Sequence, residues 1–425
     1  PVKNGKKERN MKILVIGGGG REHAIVKKLK ESKRVDALYC MPGNAGIASD
    51  AVCVDGKATD IDKAVSFSRE NKIDLVFVAP DDPLSLGMVD ALNAAGIRAF
   101  GPVKAAARLE GSKAFSKDFM IRHGIPTARH ECFSDYDKAL GYVRKSDFPL
   151  VLKADGLALG KGVLICKNLE EAEEGLKKLM LDRAFGASGS TVVIEEFLTG
   201  REVTVLAFTA GNTVKCMPSS QDHKRAYDGD AGPNTGGMGA FAPSPYFTPD
   251  KQAEAMRTIF LPTIRGLQAD GIVYKGVIYF GLMMTEKGIK VIEYNSRFGD
   301  PETQAILPLL KTDFTEIIEA CIDGTLDKTD IEWLDKTGFT VVIASGGYPD
   351  NVVKGYPVTI GKLEGVTLYH AGTAIKDGQL VTNGGRVFDM TAVADNIDKA
   401  RKIVYREIDK VSFTESRYRT DIGKV

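Results

Sequence analysis

The chain has 425 residues, of which 43% are hydrophobic, enough to bury about three quarters of its unfolded surface and to fill two to four domains. Lys+Arg 57 against Asp+Glu 56 leaves a formal charge of +1, so no global field draws it to nucleic acid or an anionic membrane, and any phosphate binding is local. The six cysteines are scattered without a CxxC pair, and no apolar run approaches the roughly 20 residues of a membrane span, which predicts a cytoplasmic protein with reduced thiols.

The polar, basic stretch before Met11 is set aside as an arm or tag remnant. From Met11 the pattern is strand (MKILVI), glycine turn (GGGG), helix (REHAIVKKLKES), and it recurs through a fully apolar strand that stops at Pro80. Short apolar strands alternating with amphipathic helices predict an α/β, doubly wound parallel sheet, whose carboxyl edge carries the loops Gly17 to Gly20, Pro42 to Gly46 and Pro80 to Pro83. A dinucleotide fingerprint fails at the first loop, because Glu22 or His23 stands where the third glycine belongs. A tight turn and a helix N-terminus presenting amides to phosphate both remain open there.

After Pro102, AAARLEGSKAFSKDFMIRHGI reads as one helix ending before Pro126. PLVLKADG and VLICKN read as a hairpin whose tip carries Gly156, Gly160, Lys161 and Gly162; it is not a P-loop, lacking the right gap and a hydroxyl after Lys161. TVVIEEFLTGREVTVLAF is read as strand, with Glu195, Glu196, Phe197 and Leu198 as a hinge whose backbone meets an adenine edge and Glu202 placed for ribose hydroxyls. Taken alone, each acid would equally suit a solvated strand end. The Gly- and Pro-rich stretch from Pro218 to Pro245 reads as an ordered binding loop. In VIEYNSRFGDPETQ, period 2 puts Glu293, Asn295 and Arg297 on one face: two hard oxygen ligands suited to Mg²⁺ beside phosphates, and a fork of donors for an anion. From about Gly338 a small α+β unit follows, with a helix over Asn396 to Ile408.

GSKAFSKDFM, KADGLALGKGV, EEFLTGRE, SQDHKRAYDGDAGPNTGGMGAF and NSRFGDPETQ, in this order, resemble the ATP-grasp superfamily and, within it, the phosphoribosylamine–glycine ligases; GGREHA, PGNAG, HAGT and TNGGRV extend the likeness over Met11 to Gly423. The resemblance implies an N-terminal substrate domain (11–111), an ATP-grasp region (112–335, flap 127–194) and a C-terminal domain (336–425). It implies an ATP-dependent ligase of purine synthesis that joins glycine to phosphoribosylamine through a glycyl phosphate, acting as a monomer with Mg²⁺ or Mn²⁺. Lys113, Lys153 and Gly156 to Gly162 would then meet the nucleotide phosphates, Glu195 to Leu198 the adenine, Glu202 the ribose, and Glu293 and Asn295 the metal. Phosphoribosylamine would lie at Gly18, Gly19, Gly20, Asn44 and Asp81 with Gly384 and Arg386, and glycine near Asp222, Asn234, Gly236, Gly237 and Arg297, where Arg297 and Lys153 would serve the chemistry.

The strand before the metal pair reads YFGLMM where many ATP-grasp enzymes carry an acid, which predicts a water-rich metal shell. A carboxylase activating bicarbonate and a silent nucleotide-binding module are the rival readings. The long QDHKR to GGMGA segment opposes the first, and the joint presence of Lys113, Lys153, Glu293 and Asn295 opposes the second.

Overall fold

The computed structural model describes residues 10–157, 162–182 and 190–424. Its first unit is a parallel sheet of Met11–Gly17, Val35–Pro42, Val52–Cys53, Leu75–Val78 and Ala99–Phe100 in the order third, second, first, fourth, fifth. Leu75–Val78 is buried at every position, as its unbroken apolar run requires of a strand covered on both faces. Strand order reverses between the first and fourth strands, and the three predicted loops follow the carboxyl ends there, the usual place for a ligand crevice.

The helix expected after Pro102 is two helices, Lys104–Gly111 and Lys113–Arg122. Ser112 between them has extended backbone, and its hydroxyl accepts from the Phe115 amide at 3.1 Å; a serine that caps a new helix competes with continuing the old one. The expected hairpin is present: Leu150–Ala154 pairs antiparallel with Val163–Cys166, and the Ala154 amide donates to the Gly162 carbonyl at 2.8 Å. Gly160 and Lys161 lie outside the described residues.

The single strand expected from Thr191 to Phe208 divides. Val192–Glu196 belongs to the flap sheet, between His130–Phe133 and Leu150–Ala154, whereas Arg201–Ala210 pairs with Thr213–Cys216 and Lys275–Thr285 in another sheet, which ends with Gly288–Asn295. At the joint, Gly200 has φ +155, and a Cβ there would stand 2.2 Å from the Met284 carbonyl, so only glycine lets the chain change sheets.

The segment expected as a long loop carries strands. Gln221–Asp222 and Gly239–Ala242 extend the sheet formed by Thr337–Ala344, Arg386–Ala394 and Thr367–His370, so this sheet crosses the expected boundary at residue 336. Asn396 caps the helix Ile397–Glu407 through its side chain, close to the predicted span.

One apolar core joins the first unit to the central sheet. Phe298, directly after the strand end that carries Glu293 and Asn295, stands 6.0 Å centroid to centroid from Phe77, Phe208 and Phe314 alike. Truncating such a ring costs about 3–5 kcal/mol, so the turn bearing the candidate site is anchored.

Candidate active site

Three lysines gather at the flap. Lys153, on the first hairpin strand, donates to the Ile292 carbonyl at 3.1 Å and pairs with Glu195 at 3.0 Å. Glu195 also pairs with Lys117 at 3.1 Å, and all three side chains are buried. Burial pushes Lys117 down to about 8 despite the pull of Glu195. Lys113 opens the second helix and donates to the Gly156 carbonyl at 2.8 Å, while Asp155 accepts from the Ala114 amide at 3.1 Å and the Ser112 hydroxyl at 3.3 Å. The Ser112 break thus ties the helix N-terminus to the hairpin base.

Around the hinge, the Glu196 carboxylate is held by the Arg129 amide at 3.0 Å and by Lys290 at 2.9 Å, its own amide donates to the Arg129 carbonyl at 2.9 Å, and the Phe197 ring is exposed. Leu198 is partly buried, and Glu202 is half-exposed, 3.9 Å from Lys224.

Glu293 and Asn295 lie at the end of the last central strand. Lys224, 3.3 Å from Glu293, is the main reason that this carboxyl sits low, at about 2, with Lys153 and Lys113 adding to the effect. It is therefore an ionised, hard oxygen donor. Asn295 Oδ1 accepts from Arg297 at 3.3 Å. Among the described residues no cluster of three or more His, Cys, Asp or Glu could hold a metal, so a cation here would rely on these two side chains plus phosphate and water. Mg²⁺ commonly accepts that arrangement.

Arg297 lies just past the strand, with its guanidinium 2.7 Å from Glu110 and donating to the Phe298 carbonyl at 3.2 Å. Glu110, which the motif reading passed over, also accepts from the Ser296 amide at 2.7 Å. Burial pushes its carboxyl up to about 7, against the pull of Arg297. Asp81 begins the helix Asp81–Leu86. Burial would raise it, yet Arg297 and Arg21 hold it below the usual carboxylate range.

A second set of acids completes this end. Asp222 and Glu302 are both raised, first by burial; for Asp222 the nearby charge of Glu302 adds to the rise. Gly237 permits the approach, because at φ +117 its Cα faces Asp222, and a Cβ would meet Oδ1 at 2.7 Å. Arg386 pairs with Asp300 at 3.0 Å and donates to the Gly236 carbonyl at 2.8 Å, joining the C-terminal sheet to the glycine-rich segment. Asn234 is in register with Arg225 in a short hairpin of that segment.

At the first loop the Gly19 amide is already taken by Glu22 at 2.6 Å. Gly20 lies against Asp389, where a Cβ would meet Oδ2 at 2.0 Å, and Gly18 against Gly43, where it would meet the carbonyl at 2.4 Å. Asn44 has its amide donating to the Gly18 and His370 carbonyls at 2.9 and 2.8 Å, with Oδ1 accepting from Gly46 and Ile47, so it staples the first and last units. Gly384 permits a backbone crossing, with Gly372 Cα 2.9 Å from where its Cβ would be. These contacts give Asn44 and Gly384 clear packing roles.

The structure therefore links Lys113, Lys153, Glu195 and Glu293 to one another through contact or charge, as it does Arg297 to Asn295 and Asp81, and Asp222 to Arg386. It adds Glu110, Lys117, Asp155, Lys224 and Asp389, which the sequence reading did not single out, and Glu302, to which that reading gave no role. Glu110, the one acid in the helix Lys104–Gly111 and directly before the GSK motif, was the one available signal.

The profile for the N domain of phosphoribosylglycinamide synthetase matches residues 11–110, that for its ATP-grasp (A) domain residues 111–303, and that for its C domain residues 338–425. The phosphoribosylamine–glycine ligase of Caldanaerobacter subterraneus subsp. tengcongensis is 49% identical, over 97% of this chain and 99% of its own length. The trifunctional purine biosynthetic protein adenosine-3 of Gallus gallus is 47% identical over 97% of this chain, which spans 42% of that protein. The crystal structure of the Thermotoga maritima phosphoribosylamine–glycine ligase superposes with TM-score 0.85 at 35% identity, covering 96% of this chain and 99% of the other. A biotin carboxylase domain from Hydrogenobacter thermophilus shares the fold alone, at TM-score 0.75 and 16% identity. With three successive domain profiles matched and relatives aligned along nearly its whole length, the chain belongs to the phosphoribosylamine–glycine ligase family.

Proposed function

We propose that this protein joins glycine to 5-phosphoribosylamine at the expense of ATP, yielding glycinamide ribonucleotide, ADP and phosphate. The observation that carries the reading is the end of strand Gly288–Asn295, where an ionised Glu293 lies under the influence of three lysines while Arg297 stands two residues on. Family membership supplies the identity of the substrates.

A glycine carboxylate oxygen attacks the γ-phosphorus, the bond to the bridging oxygen of ADP breaks, and a glycyl phosphate forms. The 1-amine of phosphoribosylamine then attacks the acyl carbon, phosphate departs, and the amine loses a proton. Lys113 and Lys153 draw the triphosphate to the flap, and the hinge from Glu195 to Leu198 seats the base. Arg297 receives the carboxylate of glycine, and Asp222 with Glu302 faces its ammonium. Glu293 and Asn295 would hold a Mg²⁺ or Mn²⁺ ion, whose chemistry there is to neutralise phosphate charge. The amides after Gly19, with Asp81 and Arg386, suit the phosphate and hydroxyls of phosphoribosylamine.

We place the enzyme in the cytoplasm, as a monomer. No helix among the described residues is long and apolar enough to cross a membrane. ADP release in the presence of phosphoribosylamine, measured with glycine, with bicarbonate and with neither, tests the reading. Glycine-dependent release is expected, and release driven by bicarbonate alone would overturn it.

A further inference from the structure

Glu110 belongs to the helix that leads from the first unit into the ATP-grasp region, and the reaction sketched above leaves it without a task. The residue is 8% exposed, and its carboxyl carries two contacts of 2.7 Å: Oε2 accepts from the Ser296 amide, and Oε1 meets Arg297 Nη2. Ser296 is the residue between Asn295 and Arg297, so one carboxyl group fixes the main chain between the two and the side chain of the second. We propose that Glu110 is a positioning residue for glycine activation, gripping Ser296 and Arg297 together so that the guanidinium holds the angle at which it meets the glycine carboxylate.

Three features support this. Arg297 is anchored at several points, through Nη1 to the Phe298 carbonyl and through Nη2 to Asn295 and Glu110, while its buried Nε has no protein partner. A guanidinium gripped this firmly yet left with an unpaired donor is shaped for a further acceptor. A buried ion pair is also a weak source of net stability, since desolvating both charges offsets much of their attraction, so stability alone would be served as well by apolar residues at both 110 and 297. Finally, a misplacement of about 1 Å at a reacting group costs on the order of 100-fold in rate, which makes one grip on both main chain and side chain worth having.

The inference rests on the reading of Arg297 as the glycine anchor, and a double-mutant cycle in the full chain separates the two. Glu110→Gln keeps an acceptor for Ser296 but removes the charge facing Arg297. It is expected to raise KM for glycine roughly 10-fold while KM for ATP stays within about twofold. Combined with Arg297→Lys, it is expected to add less than about twofold to the loss caused by Arg297→Lys alone, because Glu110 acts through that side chain. An unchanged glycine KM in Glu110→Gln, or losses that multiply in the double variant, overturns the proposal and leaves the anchor reading standing. A normal glycine KM in Arg297→Lys overturns both. If Glu110→Gln fails to fold, Glu110→Asp, with the carboxylate withdrawn by one methylene, carries the same test: its glycine KM must rise while its ATP KM does not.

Discussion

Two groups of charges meet at the end of strand Gly288–Asn295, and they are built differently. The flap side gathers Lys113, Lys117 and Lys153 against Glu195 and Asp155, a surplus of cations. The other side gathers Asp81, Glu110, Asp222, Asp300, Glu302 and Asp389 around Arg21, Arg297, Arg386 and Lys224, a mixed set in which several acids are pushed upward by burial and by one another. On the proposed reading the difference follows the ligands. A triphosphate is met by plain positive charge, whereas zwitterionic glycine and an amino sugar phosphate need both signs in fixed places.

If the two sides divide the work in this way, Glu293, at their junction, is the residue whose loss hurts most. Glu293→Gln is expected to lower kcat on the order of 1000-fold, with less loss as Mg²⁺ is raised, while the melting temperature moves by only a few degrees because the side chain is 29% exposed. Steady-state rates across a Mg²⁺ series check this, and near-normal rates at low Mg²⁺ would remove Glu293 from the metal site.

Lys153→Gln probes the flap side alone. Lys117 still pairs with Glu195, so the variant folds, and KM for ATP is expected to rise about 100-fold, the loss of roughly 2.8 kcal/mol of charge-assisted hydrogen bonding, with the glycine KM little changed. An unaltered ATP KM would reduce Lys153 to a member of the buried ion network.

On the opposite side, Arg297→Lys keeps the charge but loses the planar fork. The kcat/KM for glycine is expected to fall roughly 10- to 100-fold while ATP affinity holds. Loss of ATP binding instead would move Arg297 to the nucleotide side and erase the division.

The smallest effect tests the acids themselves. Burial, with Asp300 adding, raises the Asp389 carboxyl to about 7, above its unfolded value near 3.9. The folded state thus binds the extra proton, so this group lends stability at low pH that is lost as pH climbs from about 4 to about 7. Asp389→Asn has no such slope, and between pH 4.5 and 7.5 its stability relative to wild type should rise on the order of 1–3 kcal/mol in denaturant titrations. Parallel curves would mean that Asp389 ionises as readily in the folded state as in the unfolded chain.

The two sides also differ in how far they could be read from the chain. The parallel first sheet, the flap hairpin, the lysines and the strand-end pair Glu293 and Asn295 were legible, because each follows from a local period or from residues close together in sequence. The Ser112 break and the change of sheet at Gly200 were missed. One depends on a hydroxyl choosing the Phe115 amide, the other on a contact with Met284 more than eighty positions away.

The sequence alone therefore determined the class of the sheet units, the family likeness and which residues are candidates to meet polyphosphate and metal, since helix and strand periods and short motifs are encoded within a few residues. Tertiary structure alone decided that Pro218 to Pro245 supplies two strands to the C-terminal sheet, that Asn44 staples the first unit to the last, and that Glu110 grips Arg297 across 187 positions. Sheet pairing and buried charge pairing join residues by proximity in space, and no local pattern in the chain records which distant partner will close the contact.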